Sequence, residues 1–137
     1  MDNLLWEPFL SMLDFGAFIV LWLVQLVIYP SFLQLSPKRL LIWHQCYTFR
    51  VSFILIPLLS MQLIGWFLTL FHRITLPNLL GLLALLSCWG LTFFISVPIH
   101  QKIAKGNTDK WLLMRLIHTN WFRTFLWSLV FVIGVFS

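Results

Sequence analysis

Charged residues are scarce in this chain. Of its 137 residues, 9% are charged and 61% are hydrophobic. A water-soluble domain needs roughly a quarter of its residues charged to cover its surface, and a disordered segment would be more polar still. The composition therefore excludes both classes and indicates a protein that uses lipid as its outer solvent.

Cysteine is also scarce, and several catalytic motifs are missing. Cys46 and Cys88 are the only two cysteines, which excludes a small secreted domain held together by disulfides. The chain has no nucleophile elbow, phosphate-binding glycine loop, paired catalytic carboxylates or Cys/His metal-ligand spacing. Hydrolytic and phosphoryl-transfer enzymes are therefore disfavoured, and we predict no metal site.

Long apolar stretches, in contrast, are abundant, and four of them have roughly the 20 residues that a membrane-spanning helix needs. They cover about residues 9–29, 48–71, 76–97 and 112–136. Between the first two, Ser36-Pro37 marks a helix start, and residues 38–43 are typical of a short helix at the membrane surface. We predict an all-α fold in which residues 1–137 form one membrane four-helix bundle, with a short interfacial helix between spans 1 and 2.

The positive charges are unevenly distributed among the connections. Eight of the nine Lys and Arg residues lie in or beside the first and third connections, and only Arg73 lies in the second. Short loops rich in Lys and Arg stay in the cytoplasm. We therefore predict an integral protein of the bacterial inner membrane, with connections 1 and 3 cytoplasmic and both termini outside. This placement accounts for the net charge of +5 without a nucleic-acid partner.

Polar and titratable side chains from all four spans collect near the predicted cytoplasmic boundary. Successive helical residues turn by about 100°, which places Asn120 and Arg123 on one face of span 4 and His44 and Tyr47 on one face of span 2. His118 falls on the opposite side of span 4. The predicted pocket consists of Gln25, Tyr29, His44, Tyr47, Arg50, His100, Asn120 and Arg123.

Roles within this pocket follow from side-chain chemistry. Histidine titrates near neutral pH, and tyrosine can also transfer a proton. The candidate catalytic groups are therefore His44, Tyr47 and His100. The candidate substrate-binding residues are Gln25, Tyr29, Arg50, Asn120 and Arg123. Ordinary membrane architecture offers the alternative explanation: arginines that extend to the interface, aromatic-belt residues and polar contacts between helices.

A second set of polar residues lies deeper in the spans. Asp14 and Gln25 are eleven residues apart and share a face of span 1, and Gln62 shares the face of His44 on span 2. Asp14 and Gln62 are therefore expected to form an intramembrane polar pair in the outer half of the membrane. Asp14 would then accept a hydrogen bond from Gln62, hold a proton, or reach water.

Several short motifs span nearly the whole chain. Residues 25–32 read QLVIYPSF, residues 97–103 read VPIHQKI, and residues 120–124 read NWFRT. These motifs resemble a family of small bacterial four-helix integral membrane proteins without an established role. The chain departs from that family at Ile28, where a histidine is common, and at Gln62, where an acidic residue is common.

The late Asn-x-x-Arg after a basic loop is, more distantly, similar to the anthrone-oxygenase-like membrane family. Named members of that family oxidise polycyclic phenols without a recognised cofactor. The similarity implies that Asn120 and Arg123 lie at a site.

Three functions are compatible with these observations. The leading hypothesis is a protein that binds a lipid-soluble or amphipathic small molecule in the pocket and acts on it as an oxidoreductase or isomerase. The first alternative is a small transporter or channel, working as a homodimer, with a polar path through Asp14, Gln62 and Gln25. The second is a structural or accessory membrane subunit. The expected partners are membrane lipids and the ligand. No cofactor is assigned; a b-type haem ligated by His44 and His100 is an alternative.

Overall fold

The computed structural model describes residues 6–137, which form four long helices and, within that range, no strand. The bounds of the helices are α1 Trp6–Gln34, α2 Pro37–His72, α3 Leu76–Ala104 and α4 Lys110–Phe136. Each is long and apolar enough to cross a membrane. The predicted all-α membrane four-helix bundle is confirmed. Residues 1–5 of the predicted 1–137 domain lie outside the described residues.

The distribution of side chains is that of a protein surrounded by lipid. Large apolar residues cover the outside of the bundle, and Phe94, for example, is 84% exposed. Asp14, Gln25, Gln62 and Asn120 are instead buried inside. Polar side chains avoid the hydrocarbon of the bilayer because exposing a polar group there without a hydrogen-bond partner costs on the order of several kcal/mol.

Helix α2 corrects the prediction of a separate interfacial helix. Ser36 is extended and Pro37 begins the helix, as predicted, but residues 38–43 continue without a break into the second span. No glycine or proline follows Pro37 until Pro57, which the helix accommodates, so helix propagation is not interrupted. A helix of 36 residues is about 54 Å long, against a hydrocarbon core of about 30 Å, so α2 extends beyond the core.

Helices α1 and α3 share a feature that the sequence analysis did not predict. The predicted spans end at residues 29 and 97, each directly before a proline, Pro30 or Pro98, but both helices continue past it to Gln34 and Ala104. In each helix a single π-helical turn precedes the proline, at Val24–Ile28 in α1 and at Thr92–Ser96 in α3. Proline lacks an N–H and clashes with the preceding turn of an α-helix, and a widened turn relieves that conflict.

Short connections define two ends of the bundle. The basic end holds the connections at residues 35–36 and 105–109, and the hairpin end holds the connection at residues 73–75. At the hairpin end the Thr75 hydroxyl accepts a hydrogen bond from the Asn78 backbone N–H, at 3.3 Å, and caps α3. The predicted spans 48–71 and 76–97 left only four residues between them, and the structure confirms this short connection.

The interior contains two apolar clusters, one toward each end. Trp66 and Trp127 belong to the cluster toward the hairpin end, and Phe32 and Leu116 to the cluster toward the basic end. Along α4, Asn120 and Arg123 come between Leu116 of one cluster and Trp127 of the other. Buried polar groups therefore interrupt the apolar core.

Candidate functional site

Seven of the eight residues predicted to form the pocket come together near the basic end. Helix α1 contributes Gln25 and Tyr29, α2 contributes His44 and Tyr47, α3 contributes His100, and α4 contributes Asn120 and Arg123. All are buried except His100, which is half-buried. The seven residues are joined by hydrogen bonds, aromatic contacts or a shared cavity, as described below.

Asn120 is the centre of the first hydrogen-bond network. Its amide nitrogen Nδ2 donates to Gln25 Oε1 at 2.7 Å, and its oxygen Oδ1 accepts from Arg123 Nη1 at 2.9 Å. Arg123 Nη1 also donates to the Ser96 hydroxyl at 3.1 Å, and Gln25 Nε2 donates to the Ile117 carbonyl at 3.3 Å. The network links α1, α3 and α4 through one buried amide.

Two histidines and a tyrosine form a second network. His44 Nε2 lies 2.9 Å from His100 Nδ1, and His100 Nε2 lies 2.9 Å from the Tyr29 hydroxyl. A neutral imidazole donates at one nitrogen and accepts at the other, and a hydroxyl does both. Two proton arrangements therefore satisfy the chain: the hydroxyl donates to His100 and His100 to His44, or both bonds run in the opposite direction.

A cavity of about 350 Å³ lies between α2 and α3 and reaches both networks. The polar part of its lining includes Tyr29, His44, Tyr47, Ser96, His100 and Arg123. Its apolar part includes Val51, Leu55 and Ile56, and the Ile56 side chain is 64% exposed on the outside of the bundle. We call this the lateral cavity, because its apolar wall continues onto the lipid-facing surface.

Arg123 is a buried cation without a counterion among the described residues. It is 6% exposed, and its hydrogen-bond partners are neutral. Its guanidinium carbon lies 5.6 Å from the centre of the Trp127 ring, and Nε is buried with no partner in residues 6–137. The one ion pair within that range joins Arg73 and Glu7, 3.9 Å apart at the hairpin end. A buried charge left unpaired in this way is costly unless a bound group compensates it.

Arg50 does not join the pocket, contrary to prediction. It is exposed, although Tyr47 on the preceding turn is buried. The two residues are three positions apart, a rotation of about 300°, and this is enough to place Arg50 outside the face that α2 presents to the bundle. His118 is exposed, as its predicted position on the far side of α4 requires.

The predicted pair of Asp14 and Gln62 is confirmed. Gln62 Nε2 donates to Asp14 Oδ1 at 2.7 Å, and both residues are buried. Two tryptophans complete this group: Trp66 Nε1 donates to Asp14 Oδ1 at 3.0 Å, and Trp127 Nε1 donates to Gln62 Oε1 at 2.8 Å. We call these four residues the Asp14 group.

Ser96, Trp66 and Trp127 are the polar-network members that sequence analysis did not select. Tryptophans in spans are most often interfacial anchors, which hid the two indoles. A signal was present nonetheless. Trp127 lies on the face of Asn120 and Arg123, and Ser96 comes one helical turn before His100.

The arrangement of the histidines does not fit a haem. Axial ligation would place the iron and its macrocycle between one nitrogen of His44 and one of His100. The two rings are instead stacked at 28°, with their centres 5.1 Å apart and two nitrogens in hydrogen-bond contact at 2.9 Å. That contact leaves no space for an iron atom. Within residues 6–137, no three His, Cys, Asp or Glu side chains come together as metal ligands.

No family model, no curated protein and no solved structure matches this chain. The family resemblance of its motifs therefore stays a prediction.

Proposed function

We propose that this protein binds an amphipathic or lipid-soluble small molecule in the lateral cavity, with the polar head of the ligand at Arg123 and its apolar body along Val51, Leu55 and Ile56. The observation that carries the proposal is a buried, uncompensated guanidinium on the lining of a cavity whose other wall continues onto the lipid-facing surface. A ligand dissolved in the bilayer reaches such a cavity without crossing water.

The charge of Arg123 determines the expected head group. An arginine with an unpartnered N–H favours an acceptor with negative charge or a strongly polarised oxygen, such as a carboxylate, a phenolate or a quinone carbonyl. Charge-assisted hydrogen bonds of this kind contribute about 1.5 to 3 kcal/mol. We therefore expect an anionic head to bind more tightly than a neutral one on the same hydrocarbon chain.

The chain of Tyr29, His100 and His44 supplies acid and base groups to the same cavity. Reversal of its two hydrogen bonds moves a proton from one end of the chain to the other. Isomerisation of a bound enol or phenol requires only that one proton leave and one return, which the chain supports. Oxidation of the ligand would also require an electron acceptor, such as dioxygen or a quinone.

The test compares two ligands and two arginines. Oleate and oleyl alcohol have the same chain and differ in the charge of the head group. We expect the protein in detergent micelles to bind oleate about 10- to 100-fold more tightly than the alcohol, as the hydrogen-bond energy above implies. Arg123→Met should remove that preference, whereas Arg115→Met, which changes an exposed arginine of the same helix, should retain it.

Equal oleate affinity in the two variants would contradict the proposal. A structural or accessory subunit would give a different result. The unchanged protein would then bind neither oleate nor oleyl alcohol, and Arg123→Met and Asn120→Ala would only lower its thermal stability. Mass spectrometry of the bound ligand separates an enzyme from a carrier. An enzyme converts the ligand to a product and loses this conversion in His44→Phe, whereas a carrier leaves the ligand unchanged in both proteins.

A small transporter or channel is the second candidate function. It is favoured by a line of buried polar residues: the Asp14 group at one end, the Asn120 network at the other, and Trp127 in contact with both. The fully buried indole fills the gap between Gln62 and Arg123, so transport would need Trp127 to move or a homodimer to add a second path. An ion or proton flux in liposomes that is larger for Trp127→Ala than for the unchanged protein would support this candidate. The absence of flux in both proteins would exclude it.

We also propose a bacterial inner-membrane location, with both termini outside and the basic end in the cytoplasm. The exposed positions of Lys38, Arg39, Lys102 and Lys105 at the basic end support this orientation. A membrane-impermeant thiol reagent applied to intact cells should label Ser137→Cys and not Thr108→Cys; the reverse pattern would overturn it.

A further inference from the structure

A second cavity lies at the hairpin end, next to the Asp14 group. It has a volume of about 290 Å³, and we call it the hairpin-end cavity. Its polar lining includes Asp14, Thr69, Asn78, Glu7 and Arg73. The functions proposed above for the lateral cavity make no use of it.

Three buried oxygens on the lining of this cavity have no hydrogen-bond donor among residues 6–137. They are Asp14 Oδ2, Thr69 Oγ1 and Asn78 Oδ1. Asp14 is 1% exposed and Asn78 is 4% exposed. The orientation of the Asn78 amide is fixed, because its nitrogen donates to the Arg73 carbonyl at 2.9 Å. Buried acceptors are nearly always satisfied in folded proteins, so this group requires donors from a bound molecule.

The charge at this position favours a cation over water alone. Asp14 accepts from the neutral donors Gln62 and Trp66 and has no cationic partner within the described chain. A buried carboxylate in a bilayer needs a proton or a compensating cation. A primary ammonium group carries one positive charge and three N–H donors, which correspond in number to the three unpartnered oxygens.

Gly134 keeps space open beside the carboxylate. A Cβ atom at this position would lie 2.6 Å from Asp14 Oδ2 and 3.5 Å from Trp66 Cζ2. Asp14, Trp66 and Gly134 all line the hairpin-end cavity. The lack of a side chain at Gly134 therefore lets the backbone of α4 approach Asp14 Oδ2 closely, and a methyl group there would press on this unpartnered oxygen.

We propose that the hairpin-end cavity is a binding site for a primary ammonium group, held by Asp14 Oδ2, Thr69 Oγ1 and Asn78 Oδ1. The ammonium belongs either to a free amine or to an ethanolamine lipid head group. Arg73, exposed on the same lining next to Glu7, provides a cation for an anionic group attached to the amine, such as the phosphate of that lipid.

The experiment uses the full chain in phosphatidylcholine nanodiscs. Ethanolamine is titrated while the thermal unfolding midpoint is recorded, with choline as the control ligand because a quaternary ammonium has no N–H to donate. In a parallel arm, native mass spectrometry after exchange into mixed phosphatidylethanolamine and phosphatidylcholine micelles measures which lipid stays bound. Selective stabilisation by ethanolamine identifies the free amine, and selective retention of phosphatidylethanolamine identifies the lipid.

Two variants with matched controls test the site. Thr69→Val removes an unpartnered hydroxyl, and Thr119→Val removes one on α4 that bonds only to carbonyls of its own helix. Gly134→Ala adds a methyl group beside Asp14, whereas at Gly90 a Cβ meets nothing within 4 Å. We expect Thr69→Val to weaken ammonium binding about fivefold or more, in the range of one lost hydrogen bond, and Gly134→Ala to abolish it. Both controls should bind normally.

Three results would overturn the proposal: no response to either ammonium source, equal responses to ethanolamine and choline, or unchanged binding in Thr69→Val and Gly134→Ala. The first would mean that the cavity holds water only. Since oleate binding at the lateral cavity is measured separately, each proposal can fail without the other.

Discussion

The two buried polar regions of the bundle have opposite charge and open in different directions. Near the basic end, Arg123 is surrounded by the neutral groups of Asn120 and Ser96, and its cavity has an apolar wall that continues onto the lipid-facing surface. Near the hairpin end, Asp14 is surrounded by neutral donors, and its cavity is lined with polar groups up to half-buried Glu7 and exposed Arg73.

This difference is the basis of the two proposed ligand sites. A buried cation beside an apolar wall selects an anionic amphiphile, and a buried anion beside polar groups selects a small cation. Trp127 separates the two, with its N–H on Gln62 and its ring 5.6 Å from the Arg123 guanidinium. Four substitutions, from the largest expected effect to the smallest, test how the two regions differ.

Asn120→Leu should destabilise the protein most. The substitution leaves Gln25 Oε1 without its donor and removes a partner from the buried Arg123 charge. We expect a loss of about 3 kcal/mol in the free energy of unfolding, the upper range for leaving a buried group unsatisfied, because one of the groups that lose a partner is charged. Reversible unfolding in mixed detergent micelles measures it. Thr119→Ala, next to it but bonded only within its own helix, is the control; an equal loss there would show that the network contributes nothing.

Gly81→Ala tests whether packing limits the region around Asp14. A Cβ at position 81 would overlap the six-membered ring of Trp66, whose Nε1 holds Asp14. Overpacking of this kind costs about 1 to 3 kcal/mol, so we expect a lower unfolding midpoint and weaker ammonium binding, with oleate binding unchanged. Gly90→Ala, which meets no atom within 4 Å, should be neutral or slightly stabilising. If both variants behave alike, close packing at Trp66 is not the cause.

Tyr29→Phe should have a smaller effect, confined to the basic end. It removes the hydroxyl that bonds His100 and leaves the aromatic contact with Phe32. One neutral hydrogen bond contributes about 1 kcal/mol, and we expect a loss of that order in stability. Shifted imidazole nitrogen resonances of both His44 and His100 in NMR spectra would confirm that the two rings form one chain. A shift of His100 alone would mean that the histidines are not coupled.

Arg50→Gln should have almost no effect. The residue is exposed and makes no contact with the pocket, so a change within about 0.5 kcal/mol is expected, as for other surface substitutions. Its oleate affinity should equal that of the unchanged protein at physiological salt. A loss similar to that of Arg123→Met would place Arg50 in the site after all and would restore the original prediction.

The interior positions of the polar residues follow from sequence periodicity. Asn120, Arg123 and Trp127 recur at helical spacing, and each is buried. The same spacing correctly aligned Asp14 and Gln62 across two helices. It could not place Arg50, because a residue at the edge of a face is turned inward or outward by the packing of neighbouring helices.

Local sequence also did not determine where two of the helices end. Pro30 and Pro98 predict a helix end, yet π-helical turns at Val24–Ile28 and Thr92–Ser96 carry α1 and α3 past them. A proline that terminates a helix in water can be accommodated where neighbouring helices support the widened turn. Those extra turns keep His100 within α3, where it bonds both Tyr29 and His44.

The sequence by itself determined the four spans and most of the residues that avoid lipid, because hydrophobic length and helical period are local properties of the chain. Only the tertiary structure decided which polar groups meet, that Trp127 separates a cationic region from an anionic one, and that a cavity lies beside each. Those outcomes depend on the rotation and separation of helices that are distant in sequence, which are set by the packing of whole side chains.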